Sequence, residues 1–507
     1  MKSFYITTPI YYVNSIAHIG HAYTTISCDI LARFHKLKKE KVYFTTGTDE
    51  HGQKIERSAK KASVDTKKFV DNISKTFRDL VPYIGCEIDD FIRTTDKRHH
   101  KAVQNIWNVL KENNQIYLST YEGWYSVRDE AYFQEDELTK KNENFFAPSG
   151  ASVEWIKEES YFFKLSQWQD KLLKHYEINK DAILPKTRYN EVISFIKSGL
   201  KDLSISRTTF KWGIPVPNDG NHIIYVWLDA LMSYKSAIGY PDKNHNLKDL
   251  WPAIHVVGKD ILRFHAVFWP AFLMAANLPP PEKIFAHGWW TNEGKKISKS
   301  ENNSIDPYDI ISTYGLDQIR YFLFREVPFG KDGDFSKGAI AQRVNADLSN
   351  NYGNLIQRIC SFIKKNCSNT IENIFDLSED DKIILDSSVK VIKNYNLFME
   401  SYEIDKALKE IFKLITEINV YVDKQAPWTL KKDNIIRMNI VLSVSIELIK
   451  RSTLLLYPII PGSCLKVFKI LNLDFKNFNL DNIIILPEKK YYINQVSPIF
   501  PRIEVND

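Results

Sequence analysis

Cysteine is scarce in this sequence. Five thiols, Cys28, Cys86, Cys360, Cys367 and Cys464, are spread over 507 residues with no Cys-x-x-Cys pair. That spacing supports neither a disulfide framework nor a thiolate zinc site, and it reads as free, mostly buried thiols of a reducing compartment. Long apolar runs are missing as well. The longest, residues 266–276, contains Pro270 and falls well short of the ~20 residues that a bilayer-spanning helix needs. Residues 1–6 run straight into strand-like sequence, without the apolar core and small-residue cleavage site of a secretory leader. The expectation is a soluble, cytoplasmic protein. Neither sign of charge dominates: 68 Lys+Arg against 62 Asp+Glu leave a net +6, compatible with a nucleic-acid partner but not diagnostic of one. With 44% hydrophobic and 26% charged residues, wholesale disorder is excluded. At ~150 residues per domain, about three domains are expected.

The first half alternates two periodicities. Residues 4–8 read as a strand, and Ile19, Ala22, Tyr23, Ile26, Ile30 and Phe34 follow at helical spacing. Residues 42–46 read as a second strand that ends at Gly47-Thr48-Asp49-Glu50-His51-Gly52; residues 223–226, 253–257 and 283–286 read as later ones. Such alternation predicts an α/β fold with a doubly wound parallel sheet, whose ligands bind beyond the strand C-termini. Residues 116–224 are rich in aromatics and break the pattern, as an insertion would. From about residue 345 to 465 helical spacing dominates, for example Ile383, Ile384, Val389 and Ile392, then Leu442, Ile446 and Ile449. Basic and acidic residues nearly balance in the last third, so charge alone does not mark it as a nucleic-acid binder.

Two short segments carry chemistry. His18-Ile19-Gly20-His21 lies where a strand-loop gives way to a helix, and helix N-termini attract phosphate through exposed N–H groups and the macrodipole. Gly20 lets a ligand approach the backbone closely, and two imidazoles there can donate to phosphate oxygens as charge builds. The bland alternative for the tetrapeptide is two surface histidines on a helix start, and short motifs carry real false-positive risk. Far downstream, Gly294-Lys295-Lys296-Ile297-Ser298-Lys299-Ser300 is a loop whose Lys296 and Lys299 can fold over a triphosphate and neutralise it. By itself a basic loop is usually a solvated surface. In this order on an α/β pattern, the two segments make a specific pair.

With these motifs the sequence resembles the class I aminoacyl-tRNA synthetases and, more narrowly, the methionyl-tRNA synthetase family. The supporting stretches run from Tyr5-Ile6-Thr7-Thr8-Pro9-Ile10-Tyr11-Tyr12-Val13-Asn14 through Thr46-Gly47-Thr48-Asp49-Glu50-His51-Gly52 and Tyr225-Val226-Trp227-Leu228-Asp229-Ala230. They continue with Gly258-Lys259-Asp260-Ile261, Phe264-His265, Phe268-Trp269-Pro270 and His287-Gly288-Trp289, ending at Gln425-Ala426-Pro427-Trp428. The resemblance implies a Rossmann-like nucleotide-binding domain in two halves, 1–115 and 225–325, split by a connective insertion at 116–224. A stem-contact linker would follow at 326–345 and a helical anticodon-binding domain at 346–507.

It also implies a methionine site built from Pro9, Ile10, Tyr12, Asp49, Trp227, Ala230, Leu231, Tyr234, Ile261, His265 and Trp269. There Asp49 would hold the ammonium by a charge-assisted bond, and Tyr12 and His265 would offer polar atoms to a polarisable thioether. His18, Gly20, His21, Gly258, Asp260, His287, Trp290, Lys296 and Lys299 would bind ATP with its Mg2+, with His18, His21, Lys296 and Lys299 as the catalytic groups. Asn354, Arg358, Pro427 and Trp428 would read the anticodon of methionine tRNA, including the initiator. The implied reaction forms methionyl-adenylate and pyrophosphate, then charges the terminal adenosine of the tRNA.

The sequence departs from the family pattern at Ser15, where glycine is usual; serine still suits a helix cap. It departs again in the insertion, where many relatives carry a zinc knuckle. Here Tyr125-Ser126-Val127-Arg128-Asp129-Glu130-Ala131-Tyr132 offers no thiolate, so no structural zinc is expected. No further basic module follows the helical region, and a monomer is expected. Other class I enzymes are less well matched: those for leucine, isoleucine and valine carry large editing insertions, and the cysteine enzyme needs zinc thiolates. A small-nucleotide transferase would not need the region around Trp428, and an inactive paralogue would have lost His21, Lys299 or Asp49.

Overall fold

A computed structural model describes residues 2–14, 16–126, 131–133, 135–141, 144–292, 295–296, 305–371, 376–486 and 490–504. The chain forms two compact units. One comprises residues 3–17 and 43–287; the other comprises 1–2, 18–42 and 288–507.

The first unit is organised on a seven-stranded sheet. Its strands are β1 (Ser3–Thr7), β2 (Tyr11–Tyr12), β3 (Lys41–Asp49), β4 (Asp90–Arg93), β5 (Ile183–Leu184), β6 (Ile254–Gly258) and β7 (Lys283–His287). Their order is β5-β7-β6-β1-β3-β2, and β4 also pairs with β3. The pairings β5/β7, β7/β6, β6/β1, β3/β2 and β3/β4 are all parallel. Strands covered on both faces read as unbroken apolar runs, and Phe4–Thr7 and Ile254–Val257 are buried residue after residue. β1 has β3 on one side and β6 on the other, so the strand order reverses there. The crevice beyond such a switch point is where open α/β sheets hold their ligands. Gly47 is forced by packing: a Cβ there would lie 1.9 Å from the carbonyl oxygen of Ile92 on the neighbouring strand.

Residues 223–226, read from sequence as a strand of this sheet, behave differently. Asp219–Ile224 joins a small antiparallel sheet with Ser206–Arg207 and Pro215–Val216, and Tyr225 caps the helix Val226–Leu231. The apolar run was too short for periodicity to tell a strand from a buried helical turn. Within 116–224, Ile116–Ser126 and Glu154–Phe163 pair antiparallel over most of their length, while Ile183–Leu184 lies in the main sheet beside β7. Residues 127–130 of the stretch that replaces a zinc knuckle lie outside the described residues. Among the described residues, no group of three or more His, Cys, Asp or Glu is placed to hold a metal ion.

The second unit is helical. Ile19–Leu37, Leu316–Arg325, Asn354–Asn366, Glu379–Glu400, Ile404–Gln425 and Ile435–Leu456 are its long helices. The last is buried on every side from Ile440 to Leu456, as expected of a central helix. The three charged groups of that buried stretch are paired: Glu447 accepts from Lys450 (2.7 Å) and Arg451 (2.8 Å), and from the Tyr491 hydroxyl (2.6 Å). A second buried knot joins Asp29 to Arg33 (2.8 Å) and to the fully buried Arg320 (2.6 Å), which also donates to the carbonyl of Ile459. Of the residues quoted for their helical spacing, Ile384 and Ile392 are buried and Ile383 is exposed. Among the described residues, no helix is long and apolar enough to cross a membrane. Cys28, Cys86, Cys360 and Cys464 are buried free thiols.

Candidate functional site

The residues named from sequence fall into three groups, two in the helical unit and one in the sheet unit. His18 is the N-cap of the helix Ile19–Leu37, the position expected of Ser15, which lies outside the described residues. The His18 Nδ1 accepts from the backbone N–H of Gly20 (3.1 Å), and the His18 N–H donates to His21 Nδ1 (3.1 Å). This reciprocal cap satisfies two donors that a helix start otherwise leaves orphaned. It also assigns the tautomers: with both Nδ1 atoms accepting, each neutral ring carries its proton on Nε2. The two rings lie 3.9 Å apart. Gly20 makes room for them, since a Cβ there would come within 2.9 Å of the His18 ring. In the same unit Trp290 is buried and packs edge-on against Tyr23 at 5.8 Å. Lys295–Lys296 form a short strand against Trp290–Asn292, and Lys299 lies outside the described residues.

In the sheet unit, the C-terminal ends of β1, β3 and β6 gather most of the remaining residues. Pro9 and Ile10 continue β1, and the backbone N–H of Val13 donates to the carbonyl of Asp49 (3.1 Å), tying the segment after β2 to the end of β3. Gly258 and His287 are register partners at the ends of β6 and β7. A Cβ on Gly258 would sit 2.5 Å from the carboxylate of Asp260 and 4.0 Å from the His287 ring, so the glycine makes room for Asp260 against the strand end.

Beyond β6 stands a cluster of buried aromatics. The Tyr234 hydroxyl donates to His265 Nε2 (2.7 Å), and His265 Nδ1 donates to the carbonyl of Ile261 (2.9 Å). Burial holds the His265 imidazole down at about 4, so the ring is neutral at pH 7. Trp269, fully buried, donates its indole N–H to His255 Nε2 (3.2 Å), and His255 in turn meets Thr7 Oγ1 at 2.8 Å. Trp227 lies flat on Phe264, centroids 3.4 Å apart and planes 6° from parallel. Ala230 and Leu231 are buried on the same short helix as Trp227.

Both His265 nitrogens are thus engaged within the chain, Nε2 by Tyr234 and Nδ1 by the carbonyl of Ile261. Two further contributors escaped the sequence reading. Phe264 was quoted in a motif without a role. Asp229, with His51 and His99, forms a buried cluster; Asp229 and His51 were likewise quoted in motifs without a role, and a further signal was the acidic residue inside the apolar run Val226-Trp227-Leu228-Asp229-Ala230-Leu231.

The third group is again in the helical unit. Asn354 and Arg358 share one face of the helix Asn354–Asn366, one turn apart. Pro427 opens the short helix Pro427–Asp433, preceded by Ala426 in a left-handed conformation (φ 42°). Arg358 sits over the Trp428 ring at 5.7 Å and pairs with Asp423 at 3.0 Å. Trp428 is 43% exposed.

Comparison with known proteins agrees with this geometry. Residues 4–360 match the family described as tRNA synthetases class I (M), and residues 375–488 match the anticodon binding domain of methionyl tRNA ligase. The methionine–tRNA ligase of Rickettsia felis is 53% identical over 482 residues, covering 93% of each chain. That of Mesorhizobium japonicum is 50% identical over 471 residues, covering 93% of this chain and 91% of the relative. The structure of Mycobacterium tuberculosis methionyl-tRNA synthetase in complex with methionyl-adenylate superposes with a TM-score of 0.96 at 41% identity, covering 99% of this chain and 100% of that one. A sheet whose switch point faces an aromatic cluster, a histidine-capped helix start and matches along nearly the whole length lead to one family assignment: the chain belongs to the methionyl-tRNA synthetases of class I.

Proposed function

We propose that the two units divide the work of an ATP-dependent methionine–tRNA ligase residue by residue. The reaction class follows from the family, and the residue roles are those that the family resemblance implies. In the sheet unit, Asp49 holds the methionine ammonium. Pro9, Ile10, Tyr12, Trp227, Ala230, Leu231, Tyr234, Ile261, His265 and Trp269 enclose the unbranched side chain. A neutral, fully engaged His265–Tyr234 pair gives that wall a fixed shape without a charge.

Gly258, Asp260 and His287 receive the adenosine of magnesium ATP, and the family resemblance adds Trp290 to the nucleotide-binding residues. The methionine carboxylate attacks the α-phosphorus in line, the bond to the bridging oxygen breaks, and magnesium pyrophosphate leaves. The protein contributes position and charge. His18 and His21 donate from Nε2 to the phosphate oxygens, because their Nδ1 atoms are held by the cap. Lys296 and Lys299 offset the charge that builds on the leaving pyrophosphate.

In the second step a hydroxyl of the tRNA's terminal adenosine attacks the methionyl carbonyl carbon, releasing AMP. Trp428 offers a stacking face, Pro427 fixes the backbone beside it, and Asn354 and Arg358 supply hydrogen bonds to the exposed edges of anticodon bases. The enzyme works as a zinc-free cytoplasmic monomer on elongator and initiator methionine tRNAs.

The observation that carries this reading is the near-complete, ~50% identical match to methionine–tRNA ligases. ATP–pyrophosphate exchange measured with each of the twenty amino acids tests it. Exchange should depend on methionine; exchange supported best by leucine, isoleucine, valine or cysteine, or none at all, would overturn it.

A further inference from the structure

The geometry points to Asp229 as a positioning residue of the methionine site, acting through His51 and His99; this rests on the assignment of Asp49 and Trp227 above. Asp229 sits on the helix Val226–Leu231, between Trp227 on one side and Ala230 and Leu231 on the other. Its carboxylate is fully buried. One oxygen meets His51 Nδ1 at 2.6 Å and the other meets His99 Nε2 at 2.7 Å. Burial alone would push this carboxyl up, yet the charge and hydrogen bonds of the two histidines hold it well below the usual carboxylate range. The group is therefore an anion whose two partners are both fixed.

Each partner belongs to a different part of the wall. His51 comes two residues after Asp49, in the turn that ends β3. Trp212 packs edge-on against its ring at 5.8 Å and donates its indole N–H to the carbonyl of Glu50 at 2.6 Å. Glu50, itself buried, is gripped by Arg93 through two bonds of 2.6 and 2.8 Å. His99 lies on the helix Lys97–Glu112 and is completely buried, with its other nitrogen 2.9 Å from Ser236 Oγ. Asp229 thus joins three elements that are far apart in sequence: the turn carrying Asp49, a helix from the first half of the sheet, and the helix carrying Trp227. An ionic hydrogen bond between buried partners resists displacement, because separating them leaves a charge without compensation. Its consequence is a fixed spacing between the group that holds the substrate's ammonium and the wall that meets its side chain.

The test uses the full-length enzyme. In ATP–pyrophosphate exchange, Asp229→Asn should raise KM for methionine at least tenfold, with KM for ATP and kcat at saturating methionine within threefold of wild type. Asparagine presents one oxygen and one NH2, so it cannot accept from both histidines. A second pair covers the case in which Asp229→Asn fails to fold. His99→Ala should raise KM for methionine at least threefold, and His99→Gln, whose amide donates to Asp229, should bring it back within twofold of wild type. Unchanged KM for methionine in the His99 pair overturns the proposal, as does equal loss of kcat and both KM values in every variant, which marks a purely structural role. If the wild-type enzyme itself shows no methionine-dependent exchange, the functional assignment fails rather than the positioning role.

Discussion

Replacing Trp428 with alanine separates the two chemical steps, because amino-acid activation does not involve tRNA. The side chain is 43% exposed, and Arg358 stands 5.7 Å from the ring centroid. A partly exposed cation–π contact is worth ~0.5–1 kcal/mol, which by itself moves the melting temperature of a domain of this size by about 2–4 °C. Losing a stacked base costs ~1–3 kcal/mol, which is about 5- to 150-fold in the equilibrium at tenfold per ~1.4 kcal/mol. Charging of methionine tRNA at sub-saturating tRNA should therefore fall by one to two decades in kcat/KM, while ATP–pyrophosphate exchange stays within twofold. Arg358→Ala should lower charging by a similar factor. Equal losses in exchange and charging, or a melting temperature lowered by ten degrees, would refute the reasoning and make Trp428 part of the helical framework.

Three other outcomes follow from the same residues. Lys299→Ala should slow adenylate formation by two or more decades, since one preorganised charge contact is worth ~2.7–4 kcal/mol, with methionine affinity nearly intact by fluorescence titration; a fully active variant removes Lys299 from the reaction. The His265 imidazole, held by burial at about 4 against an ordinary value of 6.5, takes up its proton more readily in the unfolded chain. Stability should rise with pH between about 4 and 6.5 and be lost as pH falls through that window, by as much as ~3 kcal/mol from this group; a His265→Gln variant with the wild-type pH slope in urea denaturation would show that other groups set it. The shape of the aromatic wall should exclude β-branched isoleucine yet admit norleucine, since apolar pockets separate such near-isosteres by only ~1–3 kcal/mol; activation of isoleucine at the methionine rate would count against the pocket.

The sequence by itself determined what depends on local pattern. Strand-then-helix alternation was enough for a parallel sheet, and β1, β6 and β7 lie within a residue or two of where apolar runs predicted them. The family was legible because its motifs are long and ordered, so residues hundreds of positions apart could be assigned together. Tertiary structure decided what depends on partners from elsewhere in the chain. Residues 223–226 are apolar whether they pair in the main sheet or turn into a helix, and only the strands available beside them settled it. His18 caps its helix in place of Ser15 because His21, one turn on, returns the hydrogen bond. That Tyr234 and Ile261 take the two nitrogens of His265 was likewise not legible in the sequence, since Tyr234 lies 31 residues away. Asp229 was silent for the same reason. A carboxylate's role is set by what neutralises it, and His51 and His99, at separations of 178 and 130 residues, reach it only once the fold has closed.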